Sequence, residues 1–204
     1  MKIMAKIAVL FTACVFLSSC IPDSEKPLSD PVLSTIDKRL IGVWYFVNDD
    51  GEATYTHFAA KDSHWMQALT VDHLREGGLR AGKDALYEFF ISEIGKDRYM
   101  NFIVLPEEKS KEPPAYFFGK YEISDDGSLL IWLLDNEDTV RAAIEAGRLK
   151  GVVSGKKDWT QSVRIKDSAE KITAFITAAD PKTLFSEKPM KLKKIHEPLD
   201  YANS

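Results

Sequence analysis

The sequence has few cysteines and no apolar run long enough to span a membrane. Only Cys14 and Cys20 occur among 204 residues, so the chain after residue 20 has neither a disulfide nor a cysteine nucleophile. The apolar run at residues 7–17 is about half as long as the roughly 20 residues that a membrane-spanning helix needs. The folded part must therefore be stabilised by its own core, which 45% hydrophobic residues can supply.

The chain also lacks an excess of basic residues and the usual catalytic motifs. It has 27 Lys and Arg against 31 Asp and Glu, which gives a formal net charge of −4. An acidic chain argues against binding to nucleic acid or to an anionic membrane surface. Because no Gly-x-Ser-x-Gly motif is present either, we do not expect an enzyme.

The first twenty residues have the order of an export signal. Lys2 and Lys6 precede the apolar run, and Leu17-Ser18-Ser19-Cys20 follows it. This ending resembles the lipobox of bacterial lipoproteins. The resemblance implies a signal peptide at residues 1–19, cleavage before Cys20, and acyl chains on the sulfur and new amino group of Cys20. Since Ile21, not aspartate, comes next, the resemblance also implies the outer membrane, with the protein facing the periplasm.

Composition divides the remaining chain into three parts. Residues 20–38 contain Pro22, Pro27 and Pro31 among polar residues, which indicates a flexible tether after the lipidated cysteine. Within it, the spacing of Val32, Ile36 and Leu40 favours a short helix leading into the domain. Residues 39–197 are predicted to form a single domain, and residues 198–204 a disordered tail.

Beyond residue 40 the apolar residues alternate with a period of two, which is typical of strands. Strands are predicted at 41–47, 52–59, 64–72, 85–94, 98–105, 114–124, 129–134, 149–154, 161–166 and 190–195. Helices are predicted at 137–146 and 169–179, each with one narrow apolar stripe. Short turns between successive strands favour a mainly β fold. We expect a closed or nearly closed antiparallel β-barrel of about eight to ten strands with two short helices packed outside.

Gly42-Val43-Trp44 on the first strand resembles the Gly-x-Trp signature of lipocalins and related small barrels. The resemblance implies that Trp44 plugs the closed end of the barrel. It gives Lys193 or Lys194 as the counterpart of the family's late arginine. It also implies an interior that can hold a small apolar ligand.

Alternation along residues 114–124 separates two faces of that strand. Ala115, Phe117, Gly119, Tyr121 and Ile123 share one face, and the small residues among them leave space beside the aromatic rings. One interpretation is a pocket for an apolar ligand lined by Trp44, Phe89, Phe117 and Tyr121. The interpretation that we prefer is a filled barrel core, because small barrels are commonly packed solid. Tyr116 and Phe118 face the other way, beneath a helix or towards a partner.

Two further motifs do not support a cofactor or a metal. Residues 77–84 approach the spacing of a phosphate-binding loop, but Asp84 replaces the hydroxyl that would bind magnesium and a strand follows instead of a helix. His57, His64 and His73 are close in sequence. However, strand alternation separates His64 from His73, and a hairpin near Lys61 would pair His57 with Trp65. We therefore expect neither.

These observations favour a lipid-anchored protein of the cell envelope that acts as a non-catalytic binding or accessory module. It would be held at the membrane by the lipid on Cys20 and would bind another envelope protein through an exposed apolar patch. The alternative is a lipocalin-like carrier of a small apolar ligand in the barrel interior. An enzyme would instead require a polar cleft with converging titratable groups.

Overall fold

The computed structural model describes residues 21–48, 51–74, 77–81, 85–106, 110–155 and 162–195. The predicted signal peptide at 1–19, the lipid attachment residue Cys20 and the predicted tail at 198–204 lie outside these ranges. Within them, no helix has both the length and the apolar character needed to cross a membrane.

The described chain contains twelve strands and three short α-helices. The strands are β1 (Asp23–Ser24), β2 (Gly42–Val47), β3 (Ala53–Ala60), β4 (Met66–His73), β5 (Leu79–Arg80), β6 (Leu86–Ile94), β7 (Asp97–Val104), β8 (Ala115–Ile123), β9 (Leu129–Leu133), β10 (Gly151–Ser154), β11 (Ser162–Ile165) and β12 (Met190–Lys194). The helices are α1 (Glu137–Glu145), α2 (Ala169–Ala178) and α3 (Pro181–Leu184).

Eight of the strands form a closed antiparallel barrel in the order β2-β3-β4-β6-β7-β8-β9-β12. The ring closes because β12 pairs with both β9 and β2, and β9 pairs with β8. The structure thus confirms the predicted mainly β fold. We call the end where β2, β4, β7 and β9 finish the upper end, and the opposite end the lower end.

A second layer covers one side of the barrel. Helices α1–α3 and strands β10 and β11 enclose a separate hydrophobic core with the outward residues Tyr99 and Phe118 of β7 and β8. Tyr116 and Trp132 pack against the same core. The two outward aromatic residues of β8 therefore lie beneath the helical layer, one of the two positions that strand alternation allows.

Residues 21–38 pack on the domain, in contrast to the tether that their composition predicts. Asp23 Oδ1 accepts from Arg164 Nε at 2.7 Å, and Ser24 pairs with Tyr116 of β8. Leu28 is buried, and its N–H donates to Asn101 Oδ1 at 2.9 Å. Because this segment bonds to β11 and to the barrel strands β7 and β8, a proline-rich sequence without apolar periodicity becomes fixed.

The predicted lead-in helix at 32–40 is reduced to a 3₁₀ turn at Pro31–Leu33. The Oγ of Ser34 accepts from the backbone N–H of Ile91 at 2.9 Å, which stops the helix and directs the chain across the lower end. Leu40 then inserts fully into the barrel core. A tertiary hydrogen bond has overridden the local apolar spacing.

Candidate functional site

The four residues predicted to line a pocket all lie in the barrel core. Trp44, Phe89, Phe117 and Tyr121 belong to one buried cluster, to which each of the eight barrel strands contributes at least one side chain. The Phe89 ring centroid lies 5.3 Å from that of Phe102 and 5.8 Å from that of Phe58. The aromatic side chains therefore pack against one another, as in a filled small barrel.

The space expected beside Gly119 is occupied. A Cβ placed on Gly119 would lie 3.3 Å from Ile131 Cγ2, 3.4 Å from Phe102 Cε2 and 3.5 Å from Leu133 Cδ2. Neighbouring strands thus fill the volume that the small residue leaves, and strand alternation within β8 alone could not reveal these neighbours. The ligand pocket itself stays a prediction.

Polar residues line the upper part of the interior on β3 and β4. Asp72, which is buried, accepts from Thr54 Oγ1 at 2.9 Å and from Arg80 Nη2 at 3.1 Å. Thr56 and Thr70 face each other below this pair, with their hydroxyl oxygens 3.4 Å apart. The interior is therefore apolar towards the lower end and hydrogen-bonded towards the upper end.

Trp44 lies at the lower end and is held from two sides. Its Nε1 donates to the carbonyl of Leu40 at 2.7 Å, and Lys194 Nζ lies 5.3 Å from the ring centroid. The same ammonium group donates to the carbonyl of Arg39 at 2.9 Å. Of the two candidate lysines, Lys194 therefore contacts the tryptophan. Gly42 permits this approach, since its φ is +127° and a Cβ would lie 2.9 Å from Lys194 Cε.

Replacing Lys194 by methionine should lower the free energy of unfolding by about 1 kcal/mol, because a cation–π contact and a charged hydrogen bond disappear while the apolar stem remains. Lys193→Met is the matched control, since Lys193 is exposed and pairs with Tyr45. Chemical denaturation monitored by circular dichroism measures both changes. Equal effects of the two variants would contradict a specific role for Lys194.

An ion network anchored on Asp37 closes the lower end. Arg39 donates to both carboxylate oxygens of Asp37, at 2.9 and 2.6 Å. Arg98 Nη1 lies 3.4 Å and Tyr121 Oη 3.1 Å from Asp37 Oδ2. Beside this network is a polar cleft of about 250 Å³, lined in part by Arg39, Arg98, Tyr121 and Glu93. The sequence analysis did not single out Asp37, because two of its three partners, Arg98 and Tyr121, come from β7 and β8.

Several of the charges around this cleft pair with one another. Arg98 Nε also bonds to Glu93 Oε1 at 3.0 Å, and Lys120 Nζ to Asp97 Oδ1 at 3.0 Å. Burial, and then the negative charge of Asp37, raise the pKa of Tyr121 well above its ordinary value. The phenol is therefore protonated at neutral pH and acts as a hydrogen-bond donor. The network has the features of a structural closure of the barrel, not of an acid–base site.

The three histidines lie apart. Strand β4 begins at Met66, so His64 is in the preceding turn, where its Nδ1 lies 2.9 Å from the carbonyl oxygen of Ser34. His57 pairs with Leu69, not with Trp65 as the sequence predicted, because the hairpin loop is longer and residue 60 pairs with residue 66. The described residues contain no group of three or more side chains suited to hold a metal ion.

No described residue of the second hydrophobic core, the one beneath the helical layer, belongs to β2, β3 or β4. The outer faces of these three strands therefore lie outside that core. Tyr45, Tyr55 and Val71 are direct cross-strand neighbours on this face, and the two tyrosine ring centroids are 6.2 Å apart. The next row towards the lower end contains Val43, His57 and Leu69. We call these six residues the outer wall.

The uninterrupted apolar character of β2 is the sequence signal for the outer wall. Residues 43–47 are apolar at every position, so both faces of β2 carry apolar side chains. One face fills the barrel, and the other is left partly exposed.

No protein-family model matches the chain, and no curated protein or solved structure is significantly similar to it.

Proposed function

We propose that this chain is a lipid-anchored protein of a bacterial cell envelope and acts as a non-catalytic binding module. Another envelope protein binds it at the outer wall. The observation that carries the binding role is the contrast between a core packed by side chains from all eight strands and a partly exposed apolar wall that lies outside the second core. Binding through the outside of the barrel follows from that contrast.

The composition of the outer wall suits a protein partner. Tyr45 and Tyr55 present large, rigid surfaces with a polar tip, and tyrosine is enriched at protein interfaces and their energetic centres. Lys61 and Glu88 form an ion pair at 2.6 Å beside the lower edge of the wall, which gives it a polar border on that side. An apolar centre within a charged rim is the usual anatomy of a protein–protein interface.

The anchor and its location come from the lipobox resemblance at Leu17–Cys20. We place the protein at the outer membrane, facing the periplasm. More than one acyl chain on Cys20 would make the attachment stable, since each buried methylene contributes about 0.8 kcal/mol.

Site-specific photo-crosslinking in the native host tests the binding role. A photoreactive phenylalanine analogue at Tyr55 should give one defined cross-linked product, and the same product should form from Leu69. The matched control is Glu122, an exposed residue of β8, which should give none. Val71→Glu should leave the circular dichroism spectrum unchanged and reduce cross-linking from Tyr55 at least fivefold. Equal products from Tyr55 and Glu122, or none from either wall position, would contradict the proposal.

The second candidate, a lipocalin-like carrier, is favoured by the amphipathic interior. Thr54, Thr56 and Asp72 provide buried polar groups above an apolar lower half, an arrangement that suits a ligand with one polar end. Native mass spectrometry of protein purified from its own host would show a bound small molecule if this candidate is correct.

A further inference from the structure

We propose that the protein bound at the outer wall presents an acidic side chain, which pairs with Lys193 where β12 borders the wall. The proposal rests on the proposed function and names the chemistry of the partner, an apolar segment flanked by a carboxylate. Two observations support it: the strands of the wall carry no acid on their outer face, and Lys193 is a cation beside the wall without a described acidic partner.

The strands that form and border the outer wall contain a single acidic residue. It is Asp72 of β4, whose buried carboxylate accepts from Thr54 and Arg80 on the inner side of the sheet. No other Asp or Glu occurs in β2, β3, β4 or β12, all of whose residues are described. The outer face of these four neighbouring strands therefore carries no negative charge of its own.

The three lysines of β12 differ in their contacts. Lys191 Nζ bonds to Asp126 Oδ2 at 2.8 Å. Lys194 Nζ donates to the carbonyl of Arg39 at 2.9 Å. Lys193 is exposed, and within the described part of the chain no carboxylate pairs with it. One positive charge at the border of the wall is thus available to a group from another molecule.

Lys193 projects from the same side of the sheet as the tyrosines of the wall. It pairs directly with Tyr45, which in turn pairs with Tyr55. Directly opposed residues of an antiparallel pair have Cβ atoms about 5 Å apart and share one face. A partner that covers the ring of Tyr45 therefore meets Lys193 as well.

Covering Lys193 without pairing it would be unfavourable. An ammonium group that loses its water needs an opposite charge or a hydrogen-bond acceptor, and a carboxylate supplies both. On the β4 side of the wall, Glu88 is already paired with Lys61 at 2.6 Å. The net negative charge of the whole chain has little influence, since exposed charges more than roughly 10 Å away are largely screened by salt. The wall thus favours a partner whose acid lies over β12 and whose apolar side chains lie over β3 and β4.

Zero-length cross-linking in envelopes of the native host tests the contact directly. A carbodiimide activates a carboxyl group, which the amine of Lys193 attacks to form an amide, so only side chains in contact are joined. We expect a cross-linked peptide in which Lys193 is bonded to an Asp or Glu of another envelope protein. Lys193→Arg is the matched control, because it keeps the charge and does not form the amide. Absence of this peptide while the Tyr55 photoproduct forms would overturn the ion pair.

Charge reversal tests whether the ion pair contributes to binding. In protein with the photoreactive analogue at Tyr55, Lys193→Glu should reduce cross-linking at least about fivefold, because the new carboxylate repels the partner's acid. Lys193→Gln should reduce it less, and Lys193→Arg should stay within about twofold of the unsubstituted protein. Lys182→Glu is the control for net charge, since Lys182 is an exposed residue of α3 in the helical layer. It should leave cross-linking unchanged.

A charge swap completes the test. When the amide has identified the partner's acid, its replacement by lysine should restore cross-linking to the Lys193→Glu variant and weaken cross-linking to the unsubstituted chain. Circular dichroism spectra of all variants should coincide, because Lys193 is exposed. A partner lysine that fails to restore cross-linking to a folded Lys193→Glu variant would contradict a direct ion pair.

The outcomes separate this proposal from the binding role of the outer wall. If the Tyr55 product forms and neither Lys193→Glu nor Lys193→Gln reduces it, the wall binds a protein but the acidic partner is wrong. If the unsubstituted protein gives no product from Tyr55, both proposals fail. An amide between Lys193 and a carboxylate of a second copy of this chain would also overturn the proposal, because the partner would then be the chain itself.

Discussion

Replacing Cys20 by serine should release the folded domain from the membrane, with a more than tenfold shift into the soluble fraction of the envelope. Serine has no thiol to accept the diacylglyceryl group, so the molecule loses the acyl chains, each of whose buried methylenes contributes about 0.8 kcal/mol.

Fractionation of cells, followed by mass measurement of the N-terminus, checks this result. The mass is needed because an uncleaved signal peptide would itself retain the chain, so only molecules that have lost residues 1–19 are scored. Ser19→Ala is the matched control, since it preserves the small residue before the cysteine and should remain at the membrane. Cleaved Cys20→Ser protein that stays with the membrane would contradict the lipid anchor.

Truncating Phe89 to alanine should lower the free energy of unfolding by about 3–5 kcal/mol, the usual range for removing a fully buried phenylalanine. Phe89 is fully buried, and its ring packs edge-on against Phe58 and tilted against Phe102. All three side chains come from different strands, so the cavity left behind cannot close without moving the barrel wall.

Urea denaturation monitored by circular dichroism measures this loss, with Leu33→Ala as the control. Leu33 is mostly exposed, so its truncation should change stability by less than about 0.5 kcal/mol. The Phe89→Ala variant also distinguishes a filled barrel core from an open ligand pocket. If Phe89 lined an open ligand pocket, its truncation would enlarge an existing space, and the loss would fall below about 1 kcal/mol.

Much of the fold could be predicted from local patterns. Alternation along β8 assigned Phe117 and Tyr121 to one face and Tyr116 and Phe118 to the other. The structure places the first pair in the barrel core and the second pair at the second hydrophobic core, beneath the helical layer. The Asp-Asp-Gly sequence at 125–127 is typical of a hairpin turn between two apolar strands, and Gly127 adopts a positive φ of 76° there. Such features depend on neighbours in sequence, so the sequence reveals them.

Other features depend on residues that are distant in sequence. The apolar spacing at 32–40 predicted a helix, but the bond from Ile91 N–H to Ser34 Oγ joins positions 57 residues apart. The bonds that fix residues 21–38 reach Asn101 and Arg164, and no local pattern of prolines and polar residues could indicate them. The space beside Gly119 is likewise filled from β7 and β9.

The sequence by itself predicted an antiparallel barrel, closed or nearly closed, and it gives Cys20 as the last cysteine of the chain, because periodicity and residue order are local properties. Only the pairing of β12 with both β9 and β2 shows that the ring closes. Only the tertiary structure decided that the segment after Cys20 is packed instead of free. It also decided that side chains from all eight barrel strands meet in one core, and that apolar side chains remain exposed on one wall and at one end. The reason is that packing depends on which strands, distant in sequence, become neighbours in the fold.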